Sequence, residues 1–126
     1  MSNSLGEFAH RHVGSSYSAR EGGGLVSTTN WEGIATGYGT VFGTLIFQLP
    51  EGGASGGSCK WVGQAFPEDG PWVNGSGEGT WQQVEGRNRW SISISVIEVS
   101  NGDRIRCEGE VDLATRTFTG QMFEAD

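Results

Sequence analysis

The chain has 126 residues, a net charge of −7 and a pI near 4.7, enough for one domain with one modest core. Its eight Lys and Arg are scattered, and only Arg104 and Arg106 share a neighbourhood, so there is neither a basic stripe for nucleic acid nor a polybasic cluster for an anionic membrane. Twenty-two glycines stand against three prolines, yet five Trp and six Phe remain; that balance excludes a low-complexity chain and points to a globular all-β domain with tight turns.

The N-terminal MSNSLGEFAHRHVG has no apolar h-region, and no apolar run approaches the ~18 residues of a membrane span. With Cys59 and Cys107 far apart and outside any CxxC spacing, the expectation is a cytoplasmic protein with reduced thiols. Residues 1–6 are expected to be a flexible start to a single domain covering 1–126. HRHVGSSYS and GLVSTTNWEGIAT read as two strands around a turn at Glu21–Gly24.

GYGTVFGTLIFQLP alternates cleanly. Gly37, Gly39, Val41, Gly43, Leu45, Phe47 and Leu49 share one face, and Tyr38, Thr40, Phe42, Thr44, Ile46 and Gln48 share the other. After the EGGASGG loop at 51–57, CKWVGQAF places Cys59, Trp61, Gly63 and Ala65 in register. PEDGP at 67–71 is a turn segment, and GSGEGTW at 75–81 puts Gly75, Gly77 and Gly79 in phase with Trp81.

RWSISISVIEV carries Trp90, Ile92, Ile94 and Val96 on one face and Ser91, Ser93 and Ser95 on the other. The phase then slips to Ile97 and Val99, which predicts a β-bulge near Val96–Ile97. Asn101-Gly102 is a hairpin signal because both residues tolerate positive φ. In DRIRCEGEVDL, Ile105, Cys107, Gly109, Val111 and Leu113 face inward, and Arg104, Arg106, Glu108, Glu110 and Asp112 face solvent. A turn at Ala114–Arg116 leads into TFTGQMF, with Phe118, Gly120 and Met122 in phase.

About eight strands joined by short loops imply antiparallel neighbours and leave no room for a βαβ crossover. The predicted fold is an all-β up-and-down barrel, with a two-sheet β-sandwich as the alternative. Glycines on an inward face allow two readings: a neighbouring aromatic lies flat across them, or they leave space for a ligand. The segments GYGTVFGTLIF (37–47), GSGEGTW (75–81) and GDRIRCEGEVDLATRTFTG (102–120) resemble the calycin-type and allene-oxide-cyclase-like small β-barrels. The resemblance is one of fold. It implies a barrel that binds or rearranges small hydrophobic molecules, with no catalytic residue carried over.

His10-x-His12 would project two imidazoles to one face, but a metal needs further ligands and Glu7 is out of phase, so solvated histidines and no metal or cofactor are expected. Glu78 is the one candidate acid. If the glycine face points inward it lies on the surface, and in the opposite register it would be a desolvated interior carboxyl. Cys107 and Cys59 read as small apolar fillers, and the Ser91, Ser93, Ser95 row lacks a histidine partner.

Three functional expectations follow. The first is a binding barrel holding a small hydrophobic molecule against Phe47, Trp61, Trp81, Trp90, Cys107 and Met122. The second is a cofactor-independent cyclase or isomerase assisted by Glu78. The third is a solid-core interaction protein that forms a homodimer through Tyr38, Phe42 and Ile46.

Overall fold

The computed structural model describes residues 4–125 as eight strands without a helix. They are β1 (Ser4–Ala19), β2 (Leu25–Ala35), β3 (Gly39–Leu49), β4 (Gly56–Phe66), β5 (Val73–Gln83), β6 (Arg89–Val99), β7 (Arg104–Asp112) and β8 (Thr117–Glu124). Each strand pairs antiparallel with the next, and β8 pairs back onto β1 to close a barrel. Closure rules out the two-sheet sandwich. With every connection short, joining the last strand to the first pairs the edge N–H and C=O groups that an open sheet would leave exposed. β1 begins inside the segment expected to be flexible, since Ser4 already pairs with Phe123; residues 1–3 lie outside the described ones.

Strand curvature comes from irregularities in register. β1 shifts between His12 and Gly14, and β6 shifts against β7 between Ile94 and Ile97, where the sequence phase slips. The same bulge disturbs the β5 side, where pairing shifts between Ser76 and Gly79. The glycines of GSGEGTW are explained here. A Cβ on Gly77 would collide with the carbonyl of Val96, and one on Gly79 with that of Ser93, while Ile94 crowds both. Glycine therefore lets β5 lie tight against the bulged β6. What covers these two positions is the neighbouring strand, neither a flat aromatic nor empty space. The flat-aromatic explanation holds one strand over, where the Trp61 indole lies across Gly43 and Gly63.

Two details differ from the sequence reading. At the β6–β7 corner only Gly102 adopts positive φ (98°), while Asn101 does not. The Gly102 N–H donates to the Val99 carbonyl and the Val99 N–H to that of Asp103, a turn ending in a glycine bulge in place of a paired left-handed turn. Leu113, expected to point inward, is 44% exposed. β7 ends at Asp112, whose Oδ1 accepts the Ala114 N–H at 2.9 Å, so Leu113 already belongs to the turn.

Alternating topology gives the barrel two unlike ends. The turns at 20–24, 50–55, 84–88 and 113–116 close one end. The start of β1, the end of β8, the turns at 36–38 and 100–103 and the loop at 67–72 form the other.

Candidate ligand cavity

At the first end the interior is filled. Phe47 and Trp90 pack edge-to-face with centroids 5.0 Å apart, and Trp81 and Trp90 lie 4.7 Å apart. The Trp81 Nε1–H donates to the Gln48 carbonyl at 3.1 Å. Leu45, Phe47 and Ile92 complete the plug as fully buried side chains. Phe47, Trp81 and Trp90, expected to hold a ligand, pack against one another. None of the three lines the cavity at the opposite end, while Trp81 and Trp90 border a recess of about 260 Å³ under the 50–55 turn.

Toward the other end the inward residues become short: Ala35, Val41, Ala65, Val73 and Gly75. Here the barrel encloses a cavity of about 90 Å³. Trp61, Cys107 and Met122, three of the six expected ligand residues, line it, together with His10, Phe8 and Phe118. Among the described residues no Asp, Glu, Lys or Arg contributes to the lining.

His10 departs from the sequence expectation. It was expected to be solvated, yet it is 6% exposed and stacks between Phe8 (centroids 5.2 Å) and Trp61 (5.6 Å), with Phe118 at 5.9 Å. The readable signal is the alternation of Phe8 with His10, an inward phase that runs on to the half-buried His12, opposite Trp31, and breaks at the β1 bulge after it. Among the described residues Nδ1 has no hydrogen-bond partner; it lies against Gly33, which has no side chain to offer one. Burial among aromatic rings pushes the imidazole pKa from 6.5 down to about 4, because nothing there compensates a charge. His10 is therefore neutral at pH 7. His12 does not join it: its Nε2 is 2.6 Å from the Ser15 Oγ, and its ring edge meets Trp31. Among the described residues no three metal-ligating side chains converge.

Tyr38 spans the mouth. The sequence alternation put it outside with Phe42 and Ile46, but it sits in the turn before β3, where strand parity no longer applies, and it lines the cavity. Its hydroxyl donates to the Asp103 Oδ2 at 2.6 Å. Those two residues lie on the β2–β3 and β6–β7 corners, on opposite sides of the eight-strand ring, so the bond crosses the opening. Burial, then the hydrogen bond and charge of Asp103, hold the Tyr38 phenol well above its ordinary pKa. Asp103 is itself held by Asn101, whose Nδ2 donates to it at 3.1 Å.

Glu78 and the serine row fall outside the cavity. Glu78 is exposed on the outer face of β5, beside Lys60 in the β4–β5 register, which removes the premise of an interior acid. Ser91, Ser93 and Ser95 are exposed as well, and the Ser93 hydroxyl donates to Glu108 at 2.7 Å. Cys59 and Cys107 are free and buried; burial pushes their thiols up to about 11 and about 12. At neutral pH both are protonated fillers, not nucleophiles. The outer apolar face is built from Phe42 and Phe66, whose rings meet edge-on at 6.0 Å, with Ile34 and Val62 beside them and Ile46 only half exposed.

No family model matches this chain, and neither does any curated protein or solved structure. What stands is the architecture alone: a closed eight-strand antiparallel barrel in sequential order.

Proposed function

We propose that this barrel is a binding module for a small, uncharged, hydrophobic molecule, taken up through the Tyr38 end. The observation that carries this reading is the cavity: an interior space of about 90 Å³ walled mostly by apolar side chains, to which no carboxylate, amine or guanidinium of the described residues contributes. An ionised ligand would lose its hydration there and gain no counter-charge. The volume is smaller than the roughly 150 Å³ of an engineered apolar cavity that takes up benzene. The ligand is therefore no larger than a single ring, unless part of it extends through the mouth. Met122, a flexible thioether in the wall, adapts to small differences in shape. The barrel-enzyme reading loses its support with Glu78 outside. Two buried, protonated thiols suit a reducing compartment, and we place the protein in the cytoplasm on that ground.

The test is a benzene titration followed by tryptophan fluorescence, since Trp61 forms part of the cavity wall. Saturable quenching or shift in the native protein, abolished in Ala65→Leu, is the expected result. An equal response in both proteins, or none in either, overturns the reading.

A second reading concerns the outer face. Phe42 (46% exposed), Phe66 (40%) and Val62 (43%) form a contiguous apolar surface on β3 and β4, which favours a homodimer through this side. Light scattering on the native chain and Phe42→Asp tests it: a dimer that becomes a monomer supports the interface, and a native monomer ends it.

A further inference from the structure

Among the described residues, His10 carries a fully buried side-chain nitrogen without a hydrogen-bond partner, and it belongs to the cavity wall. Nearly every buried polar group in a folded protein finds a partner, and one left without a partner is destabilising. The cost here is not offset by a charge or a backbone group: Phe8, Trp61 and Phe118 surround the ring, and Gly33 lies against Nδ1. Most of the other polar groups are engaged or at the rim; the Trp61 indole N–H, which lies against Gly63, can only donate. The Tyr38 hydroxyl is spent on Asp103, and Gln64 and Asn74 lie at the mouth end of β4 and β5. The Trp31 Nε1–H donates to the Thr29 hydroxyl at 2.8 Å, which in turn donates to the Leu45 carbonyl at 2.6 Å, so that pair is closed on itself.

We infer that His10 is the specificity-determining contact of the cavity and that it selects an apolar molecule bearing one hydroxyl group, a phenol or a simple alcohol. This rests on the binding reading above and narrows it. A hydroxyl is the matching group because it both donates and accepts, and so suits either tautomer of a neutral imidazole. A carboxylic acid does not fit. It would bring a charge into a space whose lining carries none, beside an imidazole that resists protonation. A pure hydrocarbon fills the volume but leaves Nδ1 unpaired. Nδ1 lies against Gly33, and a half-turn of the ring about Cβ–Cγ exchanges its two edges and turns Nδ1 away from Gly33 without any movement of the β1 backbone.

The experiment compares phenol with benzene, which differ by the single oxygen, on the full chain and on His10→Phe. The phenyl replacement keeps a ring between Phe8 and Trp61 and removes only the nitrogen chemistry. Phenol is expected to bind the native protein at least as tightly as benzene. In His10→Phe it is expected to weaken by about tenfold or more, the cost of burying an unpaired hydroxyl, while benzene changes little. Benzene binding thus serves as the control that the variant is folded and its cavity intact. An independent reading uses the native protein alone: the His10 imidazole nitrogen resonances move with phenol and stay in place with benzene. If benzene binds, but phenol binds equally in both proteins and leaves the imidazole nitrogens unmoved, the role of His10 is overturned and the cavity stands. If neither probe binds the native protein, both readings fall together.

Discussion

The two ends of this barrel are built on the same alternation and reach opposite results. At one end Phe47, Trp81 and Trp90 turn inward and their rings meet. At the other end the same inward phase delivers Ala35, Val41, Ala65 and Val73, too short to meet across the barrel, and a cavity remains. An eight-strand barrel is just wide enough for side chains to fill, so side-chain size alone decides which half is solid. Stability concentrates at the aromatic end, and binding becomes feasible at the small-residue end.

That division makes its strongest prediction at the plug. Trp81→Ala is expected to cost about 3–5 kcal/mol of unfolding free energy in urea denaturation, because it removes a buried indole and leaves a void among rings that cannot collapse. Loss of much less would mean that the aromatic end is not where the fold is secured.

The next effect sits at the cavity floor. His10 has a folded pKa near 4 against 6.5, so as acidity rises the unfolded chain takes up this proton before the folded one does. Stability therefore falls as pH drops from about 6.5 to about 4 and then ceases to depend on this group, a loss on the order of 2–3 kcal/mol. His10→Phe is expected to lack that part of the slope, as read from urea midpoints at several pH values. An identical slope in both proteins would contradict a buried, neutral imidazole.

Smaller still is the effect at the mouth. Tyr38→Phe removes the bond to Asp103 and is expected to cost about 1 kcal/mol, since that oxygen keeps its bond to Asn101 and gains access to water. Its distinctive consequence is kinetic: benzene should leave the variant severalfold faster, as read from NMR line shapes. The smallest effect belongs to Glu78→Gln, which should leave both melting temperature and benzene affinity unchanged within error, because the carboxyl faces solvent.

Period-two patterning made the barrel legible because each strand buries one face and exposes the other, as in β7, where Ile105, Cys107 and Val111 are buried between charged neighbours. The bulge in β6 was readable for the same reason, as a slip from Ile94 to Ile97. Legibility failed where parity stops. Tyr38 and Leu113 sit in turns, so the alternation of the adjoining strand says nothing about where they point. The site was half legible. Trp61, Cys107 and Met122 could be assigned inward by phase, but phase does not tell how far along the barrel a residue lies, and that distance separates the cavity from the plug. His10 was obscured by its neighbour, because His-x-His invites a metal reading, while its alternation with Phe8 was the informative pattern.

The most direct test of a hollow half and a solid half is a methyl-labelled NMR titration of the native chain with benzene. Saturable shifts should appear at Ile94, Ile97, Val99, Ile105 and Met122, which line the cavity, while Leu45 and Ile92 beside the plug and Ile34 and Val62 on the outer face stay in place. Shifts at the plug or on the outer face, or none anywhere, would contradict it.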